Sequence, residues 1–343
     1  MIKYPGMSAK KNVTLKSVAE RAGTSIQTVS TVLNSSRSNT VVSAETRARI
    51  LSVAEEMQYR RNAHARSLRR GYTNIIGFYT GYGTVSQTNP FIAEVFGGIQ
   101  RGCNENKKDL LIHGTFRGNS ADDIYDELTS GKIDGLVIFA PLNNSLVTRL
   151  QSAPLPVVAI AEPVPGIMSV IMDDVQGGRE AARHLYERGH RHILYRHPGG
   201  AFISAKRRLA GLQAEADRCG MKVTPVVEPD HPPFAVSDAG RALLTATDED
   251  KPTAVVCWCD ASADVALEFL AENHIAVPEQ IAVVGFDGFT RLYVGGVQLT
   301  TLVAPWAEAG NRAVSLLTGE ESLSDDLGNE IKFAMHLRQG DTT

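Results

Sequence analysis

A small all-α head followed by a two-lobed α/β body is the fold class this sequence predicts, and three observations predict it. Charge is divided along the chain: residues 1–72 hold 13 Lys and Arg against 4 Asp and Glu, whereas the remainder holds 22 against 34. The first sixty residues carry apolar positions at helical spacing, and from Asn74 short apolar runs alternate with amphipathic stretches. The length of 343 residues exceeds one ordinary domain, so two or three are expected. A basic head on an acidic body points the head toward a polyanion. A solvated basic face would carry the same charge, so pattern must decide.

In the head, Leu15, Val18, Ala19 and Ala22 fall at i, i+3, i+4 and i+7, with Thr14 placed to cap the start and Gly23 to end the run. This predicts a short amphipathic helix. After the turn Gly23-Thr24, Ser25 can cap a second helix that turns Val29, Val32 and Leu33 inward and Ile26, Gln27, Ser30 and Thr31 outward. The outward face is short, uncharged and suited to contact. A third helix follows Ser43, with Ile50, Val53, Ala54 and Met57 inward and Glu45 in its first turn, where the helix dipole favours an acid. Two helices on a tight glycine turn have the layout of a helix-turn-helix that docks in a major groove, a layout that generic helical hairpins share.

In the body, apolar runs at 75–79, 110–113, 135–139, 157–160, 192–195, 254–258 and 281–286 predict strands. Helical patterns at 93–106, 178–188, 207–219 and 261–272 lie between them. Such alternation implies doubly wound parallel sheets with helices on both faces. The stretch is too long for one dinucleotide-binding unit, so two lobes with a cleft between them are expected.

Composition and motifs exclude several classes. A hydrophobic fraction of 43% with 21% charged residues is globular, not disordered or coiled-coil. No window offers the roughly 18 apolar residues of a membrane span, and residues 1–16 hold no stretch fit for a signal peptide, so a cytoplasmic, non-membrane protein is expected. A nicotinamide enzyme would need Gly-x-Gly-x-x-Gly, but Gly81-Tyr82-Gly83 runs into Thr84-Val85-Ser86 without the third glycine. Phosphate loops, His-Glu-x-x-His and Gly-x-Ser-x-Gly are also missing from the sequence. Cys103, Cys219, Cys257 and Cys259 lack zinc spacing and read as reduced core thiols. His184, His190, His192 and His197 lack carboxylate or thiol ligands at matching spacing. No catalysis, cofactor or metal is expected.

The string from Val13 through Thr14-Leu15-Lys16-Ser17-Val18-Ala19-Glu20-Arg21-Ala22-Gly23-Thr24 to Ser25, followed by Gln27-Thr28-Val29-Ser30, closely resembles the DNA-binding domain of the lactose/galactose-repressor family of bacterial transcriptional regulators. The resemblance continues through Val42-Ser43, Thr46-Arg47 and Tyr59 to Asn62, Ala65 and Leu68, where that family has a hinge helix. It implies base reading by Ile26, Gln27 and Thr31, since Gln can pair with adenine and Ile can meet a thymine methyl. It further implies DNA contacts or caps at Thr14, Ser25, Thr28, Ser30 and Asn34, and a minor-groove wedge at Leu68. Two departures stand out: Arg61 replaces a usual proline, and the loop 35–41 is longer than usual.

The body also resembles that family's effector-binding core, which is similar to two-lobed periplasmic sugar-binding proteins. The matching motifs include Asn89-Pro90-Phe91, Gly189-His190-Arg191, Arg207-Arg208-Leu209-Ala210-Gly211 and Val283-Val284-Gly285-Phe286-Asp287. The resemblance divides the chain into a DNA-binding domain at 12–60, a hinge at 61–72, a first lobe at 73–189 plus 303–319, and a second at 190–302 plus 320–343. A last strand is expected in the second lobe near 330–338.

Ligands of parallel-sheet proteins sit past the carboxyl ends of strands. That rule selects Asp260 after 254–258, Asp287 after 281–286, and Asn89 with Phe91 after 75–79. The resemblance supports the same places and adds Arg208, Trp258 and Phe286, with Cys259 standing where the family usually has Asn. Asp260 could equally cap the next helix, Asp287 close a turn before Gly288, and Phe91 belong to the core. Together these residues suit a polyhydroxylated effector, with a sugar first and a purine or other metabolite second. Double-stranded operator DNA and a second copy of the chain are the other partners expected, because one head offers few base contacts. A homodimer is preferred to a tetramer, since Gln339-Gly340-Asp341-Thr342-Thr343 after Arg338 holds no leucine heptad.

Overall fold

The computed structural model describes residues 13–34, 42–60, 67, 70–82, 89–114, 116, 118, 120–140, 145–200, 202–229, 235–247, 251–289, 296–319 and 329–343. They form two compact units, Met1–Thr73 and Asn74–Thr343.

The first unit is three helices, α1 (Leu15–Ala22), α2 (Ile26–Asn34) and α3 (Ala44–Glu56). Each starts on the residue the sequence offers as a cap. The Thr14 hydroxyl accepts from the Ser17 amide at 3.2 Å while Ser17 Oγ accepts from the Thr14 amide at 2.9 Å, a reciprocal box that satisfies two orphan donors. Ser25 Oγ accepts from Thr28 N at 3.1 Å and Ser43 Oγ from Thr46 N at 3.2 Å. Gly23 ends α1 at φ 62°, a left-handed conformation in which a side chain would be strained. Val18, Ala19, Ala22, Val29, Val32, Leu33, Ile50 and Ala54 form one core, with Val53 and Met57 packed at its edge. Helices this short are marginal alone, so it is this shared burial, about 1.5–3 kcal/mol per large side chain, that holds them.

The second unit contains two sheets. The first is built from β1 (Ile75–Thr80), β2 (Asp109–Ile112), β3 (Gly135–Phe139), β4 (Val157–Ile160), β5 (Met168–Met172) and, much later, β11 (Glu330–Phe333). Its order is β11-β5-β4-β3-β1-β2, parallel throughout. The second is built from β6 (His192–Pro198), β7 (Lys222–Glu228), β8 (Ala254–Cys257), β9 (Ala282–Asp287), β10 (Thr300–Val303) and β12 (His336–Arg338). Its order is β12-β10-β9-β8-β6-β7, with only β12 antiparallel. Every residue of β3, β8 and β9 is buried, because helices cover both faces; this is why those strands read as unbroken apolar runs.

The helices of this unit are α4 (Pro90–Glu105), α5 (Ala121–Leu128), α6 (Ser145–Leu150), α7 (Asp174–Glu187), α8 (Ile203–Cys219), α9 (Asp238–Leu244), α10 (Asp260–Glu272) and α11 (Trp306–Thr318). Two pairs approach through glycine. A Cβ on Gly98 would sit 2.0 Å from the Ala307 carbonyl oxygen, closing α4 on α11, and one on Gly211 would sit 2.0 Å from the Val175 oxygen, closing α8 on α7.

Three crossings join the lobes: at Asp173, between Val303 and Trp306, and between Phe333 and His336. Two expectations need correction. The first crossing lies at Asp173 and not near 189, since α7 packs along α8, which lies on the second sheet. The strand expected at 330–338 is two strands, β11 completing the first sheet and β12 the second; Met335, buried between them, marks the passage. Strands β5, β7 and β10 gave no clear signal, because β7 is an edge with Lys222 and Pro225 in it and β10 begins on two threonines.

Candidate functional site

On the head, Ile26 is 48% exposed and Gln27 is exposed beside it, as an outward contact face requires. Ser25 and Thr28 share a hydroxyl hydrogen bond of 2.8 Å at the helix start, so both serve the cap. Thr31 departs from its expected outward position. It is 9% exposed, and its hydroxyl donates back to the Gln27 carbonyl at 2.9 Å, the usual local bond of a threonine inside a helix. Thr14 is committed to the capping box, and Ser30 is half-buried. Asn34 closes α2, while its side chain, along with Asn62, Ala65 and Leu68, lies outside the described residues. Two bases of α1 are paired on the surface: Lys16 faces Glu20 at 4.0 Å and Arg21 faces Glu56 at 2.5 Å.

In the body, the structure brings together Asp287, selected by the strand-end rule, and Arg208 and Trp258, implied by the resemblance, and adds Asp174 at the start of α7. Arg208 is 3% exposed. Its Nε donates to Asp174 Oδ1 at 2.8 Å, a terminal nitrogen donates to the Trp258 carbonyl, and the guanidinium lies 4.4 Å over the Phe286 ring. Burial pushes the Asp174 carboxyl up, with Arg208 pulling the other way. Asp287 ends β9 at φ 116° and accepts from the Trp306 indole at 3.2 Å. Burial raises its carboxyl to about 7 against the pull of Arg208. A carboxylate held so close to neutrality can donate or accept as a ligand demands.

Three expected ligand contacts have other work. Asp260 reaches across from the start of α10 to accept from Gly288 N at 2.9 Å, Phe289 N at 2.8 Å and Thr301 Oγ1 at 2.6 Å, so it braces the loop after β9. The cap of α10 is Cys259, whose sulfur receives Ser262 N at 3.4 Å. Asn89 uses its carbonyl to cap α4, accepting from Ile92 N at 3.3 Å. Phe286 is fully buried and supports Arg208 from beneath.

Aromatic rings join these groups across both lobes. Trp258 meets Phe202 at 5.0 Å, Phe202 stacks on Tyr82 at 5.4 Å, and Tyr82 meets Phe139 at 4.4 Å. Phe91 then touches Phe139 at 5.2 Å and Trp306 at 4.8 Å, both edge-on. Phe91 and Trp258 were legible in the sequence. Tyr82, just past β1, Phe139, the last residue of β3, and Asp174, two residues past β5, obey the same strand-end rule; Phe202 carries no local signal. A continuous apolar wall beside carboxylates and a guanidinium can hold a small molecule by one face and its polar edge at once. Among the described residues no group of three or more His, Cys, Asp or Glu could hold a metal, and no helix is long and apolar enough to cross a membrane.

Residues 14–62 match the model of bacterial regulatory proteins of the lacI family, and residues 182–332 match a periplasmic binding protein-like domain. The HTH-type transcriptional repressor PurR of Aliivibrio fischeri (strain MJ11) is 30% identical over 312 residues, covering 89% of this chain and 90% of that protein. The HTH-type transcriptional regulator DegA of Bacillus subtilis (strain 168) is 28% identical over 306 residues, covering 87% and 88%. Among solved structures, the lac repressor dimer bound to operator and the anti-inducer ONPF shares the fold with a TM-score of 0.76 at 23% identity, over 97% of this chain and 99% of that one. The complex of the transcriptional regulator CelR with cellobiose shares it with a TM-score of 0.64 at 23% identity, over 97% and 100%.

Proposed function

The chain belongs to the lacI family of bacterial regulatory proteins, and from that premise we propose how its parts divide the work. It is a DNA-binding transcriptional regulator with an effector-binding domain, and not an enzyme. Our reading is that Ile26 and Gln27 read operator bases from α2, that a hinge at 61–72 connects head and core, and that two copies act together on a near-palindromic site. The operator-bound dimer among the fold neighbours supports the last point. The effector, in this reading, sits between the lobes against Tyr82, Phe91, Trp258 and Trp306, with Asp287 and Arg208 at its polar edge.

The observation that carries it is the run of rings crossing from one lobe to the other beside Asp287 and Arg208. A molecule touching both lobes prefers one arrangement of them. By linkage, it changes operator affinity by the same factor by which operator changes its own. A sugar is the effector we favour: its hydroxyls suit carboxylates and Arg, its apolar face suits a ring, and the cellobiose complex of a fold neighbour is in keeping with it. A planar purine, which the aromatic wall of Tyr82, Phe202 and Trp258 would also suit, is the second reading.

A thermal-shift screen of sugars, sugar phosphates and nucleobases on the full chain tests this. A binder present at a hundredfold excess over its Kd raises the apparent stability by about 2.7 kcal/mol. A shift that survives in Trp258→Ala and Asp287→Asn would place the effector elsewhere.

A further inference from the structure

Helix α8 starts without a cap of its own. Phe202 occupies its N-cap position and provides no acceptor, at a place that favours Ser, Thr, Asp or Asn. The acceptor comes from the opposite lobe. Glu162, in the loop after β4, receives Ile203 N at 2.8 Å and Ser204 N at 3.2 Å on Oε2, and its Oε1 pairs with the Ser204 hydroxyl. Glu162 is 4% exposed, so both lobes enclose it. The Phe202 ring, in place of a capping side chain, stacks on Tyr82 of the first lobe. One turn along α8, Arg207 makes a two-pronged pair with Glu330 of β11 at 2.7 and 3.1 Å. The start of a helix in one lobe is therefore finished by residues of the other.

We propose that Glu162 is a latch that caps α8 from across the cleft and biases the core toward the closed arrangement before any effector arrives. Opening the lobes strips two amides and a hydroxyl of their acceptor and leaves Phe202 unable to replace it. Effector then meets a site already assembled, which removes the fraction that an open-favouring core would lose from its apparent affinity.

The latch also responds to protonation. Among the described residues, the charged and titratable groups facing Glu162 are Asp174 on α7, Arg207 on α8 and the Tyr82 hydroxyl past β1. Burial, with Asp174 adding to it, pushes the Glu162 carboxyl up, while the Ser204 donors oppose. A carboxyl with a higher pKa when enclosed than when open takes up a proton on closing, so closure tightens as pH falls. The geometry accommodates that proton, since Oε2 can keep both amides while Oε1 donates to Ser204 Oγ.

The bearing on effector affinity rests on the regulator reading above, whereas the latch is measured on the effector-free full chain, so the two can fail separately. Small-angle scattering and hydrogen exchange of the parent, Glu162→Ala, Glu162→Gln and the double variant Glu162→Ala/Phe202→Ser are the experiment. In Glu162→Ala the radius of gyration should rise, and the Ile203 and Ser204 amides should exchange roughly tenfold faster, the ratio expected from losing a cap. Adding Phe202→Ser should restore the amides while the core stays expanded. Glu162→Gln, nearly isosteric, should remain folded and lose the pH dependence of closure that the parent shows. Unchanged scattering and exchange in Glu162→Ala, or the same pH profile in Glu162→Gln as in the parent, overturns the latch.

Discussion

The indole Nε1 of Trp306 donates to the Asp287 carboxylate at 3.2 Å, tying the last residue of β9 to the first residue of the helix that carries the chain back into the first lobe. The carboxyl is enclosed and sits at about 7, well above its ordinary 3.8. A folded acid that holds its proton longer than the unfolded one loses stability as pH rises from the lower value through the higher. Asp287→Asn keeps an acceptor for the indole and cannot ionise. It should melt higher than the parent at pH 8.5 and show a flatter pH dependence between about 4 and 7; a lower melting temperature at pH 8.5 would contradict this.

His184 supplies the opposite sign. Burial, with Arg188 and His190 adding to it, lowers its pKa from 6.5 to about 4, while its ring nitrogens contact Thr343 Oγ1 at 2.9 Å and Arg188 at 3.1 Å. Its contribution is complete above pH 6.5 and is lost as pH falls toward about 4. Urea midpoints taken across that window should fall less steeply in His184→Gln than in the parent.

The glycine crossings predict a contrast inside similar helices. Gly211→Ala would drive a methyl into the Val175 carbonyl and should cost about 1–3 kcal/mol or more in urea unfolding. Gly97 has nothing within 4 Å of its Cβ position on the exposed face of α4, so Gly97→Ala should stabilise by roughly 0.5–1 kcal/mol through helix propensity. Equal effects at the two positions would mean that α7 and α8 can slide apart.

Gln27→Ala should weaken binding to an operator selected from random DNA by about 1–3 kcal/mol and leave binding to unselected DNA nearly unchanged. Thr31→Ala, by contrast, removes a hydroxyl already turned to its own helix. Its effect on base preference should be small, which gel-shift competition between single-base operator variants can resolve.

Arg208→Ala separates fold from site. Asp174 is 2% exposed with Arg208 as its ion-pair partner, and a buried carboxylate stripped of such a partner typically costs 3–5 kcal/mol. Denaturation of this variant should therefore shift before any effector is added. A variant as stable as the parent would show that the pair contributes nothing to the fold.

What the sequence disclosed follows from how local each signal is. The head was legible to the residue because caps, a glycine stop and 3.6-residue spacing act within one turn of each other, as at Thr14, Ser25 and Gly23. Central strands were legible because burial on both faces leaves only apolar residues, as in β3 and β9. Asp287 is legible because strand ends announce themselves, whereas Trp258 and Arg208 come only from the family resemblance. Glu162 was not, because it acts on Ile203 and Ser204, more than forty positions away, through a fold the local sequence does not state. Thr31 departs from its expected outward position for a related reason: a threonine hydroxyl is polar, yet it can satisfy itself on the preceding turn.

The three crossings between the lobes also fix an order of assembly during synthesis. All but one strand of the first sheet has been made by Met172, yet its edge strand β11 and its covering helix α11 come from beyond Trp306, after most of the second lobe has been made. Neither lobe can close alone on a growing chain, so the core should fold as a single late and slow event dominated by distant contacts. The three helices of the head lie within Leu15–Glu56, and the core they share draws on nothing beyond Tyr59. A ribosome stalled midway through the second lobe would hold a folded, basic DNA-binding head attached to a core without ligand control, and protease sensitivity of stalled chains would reveal that interval.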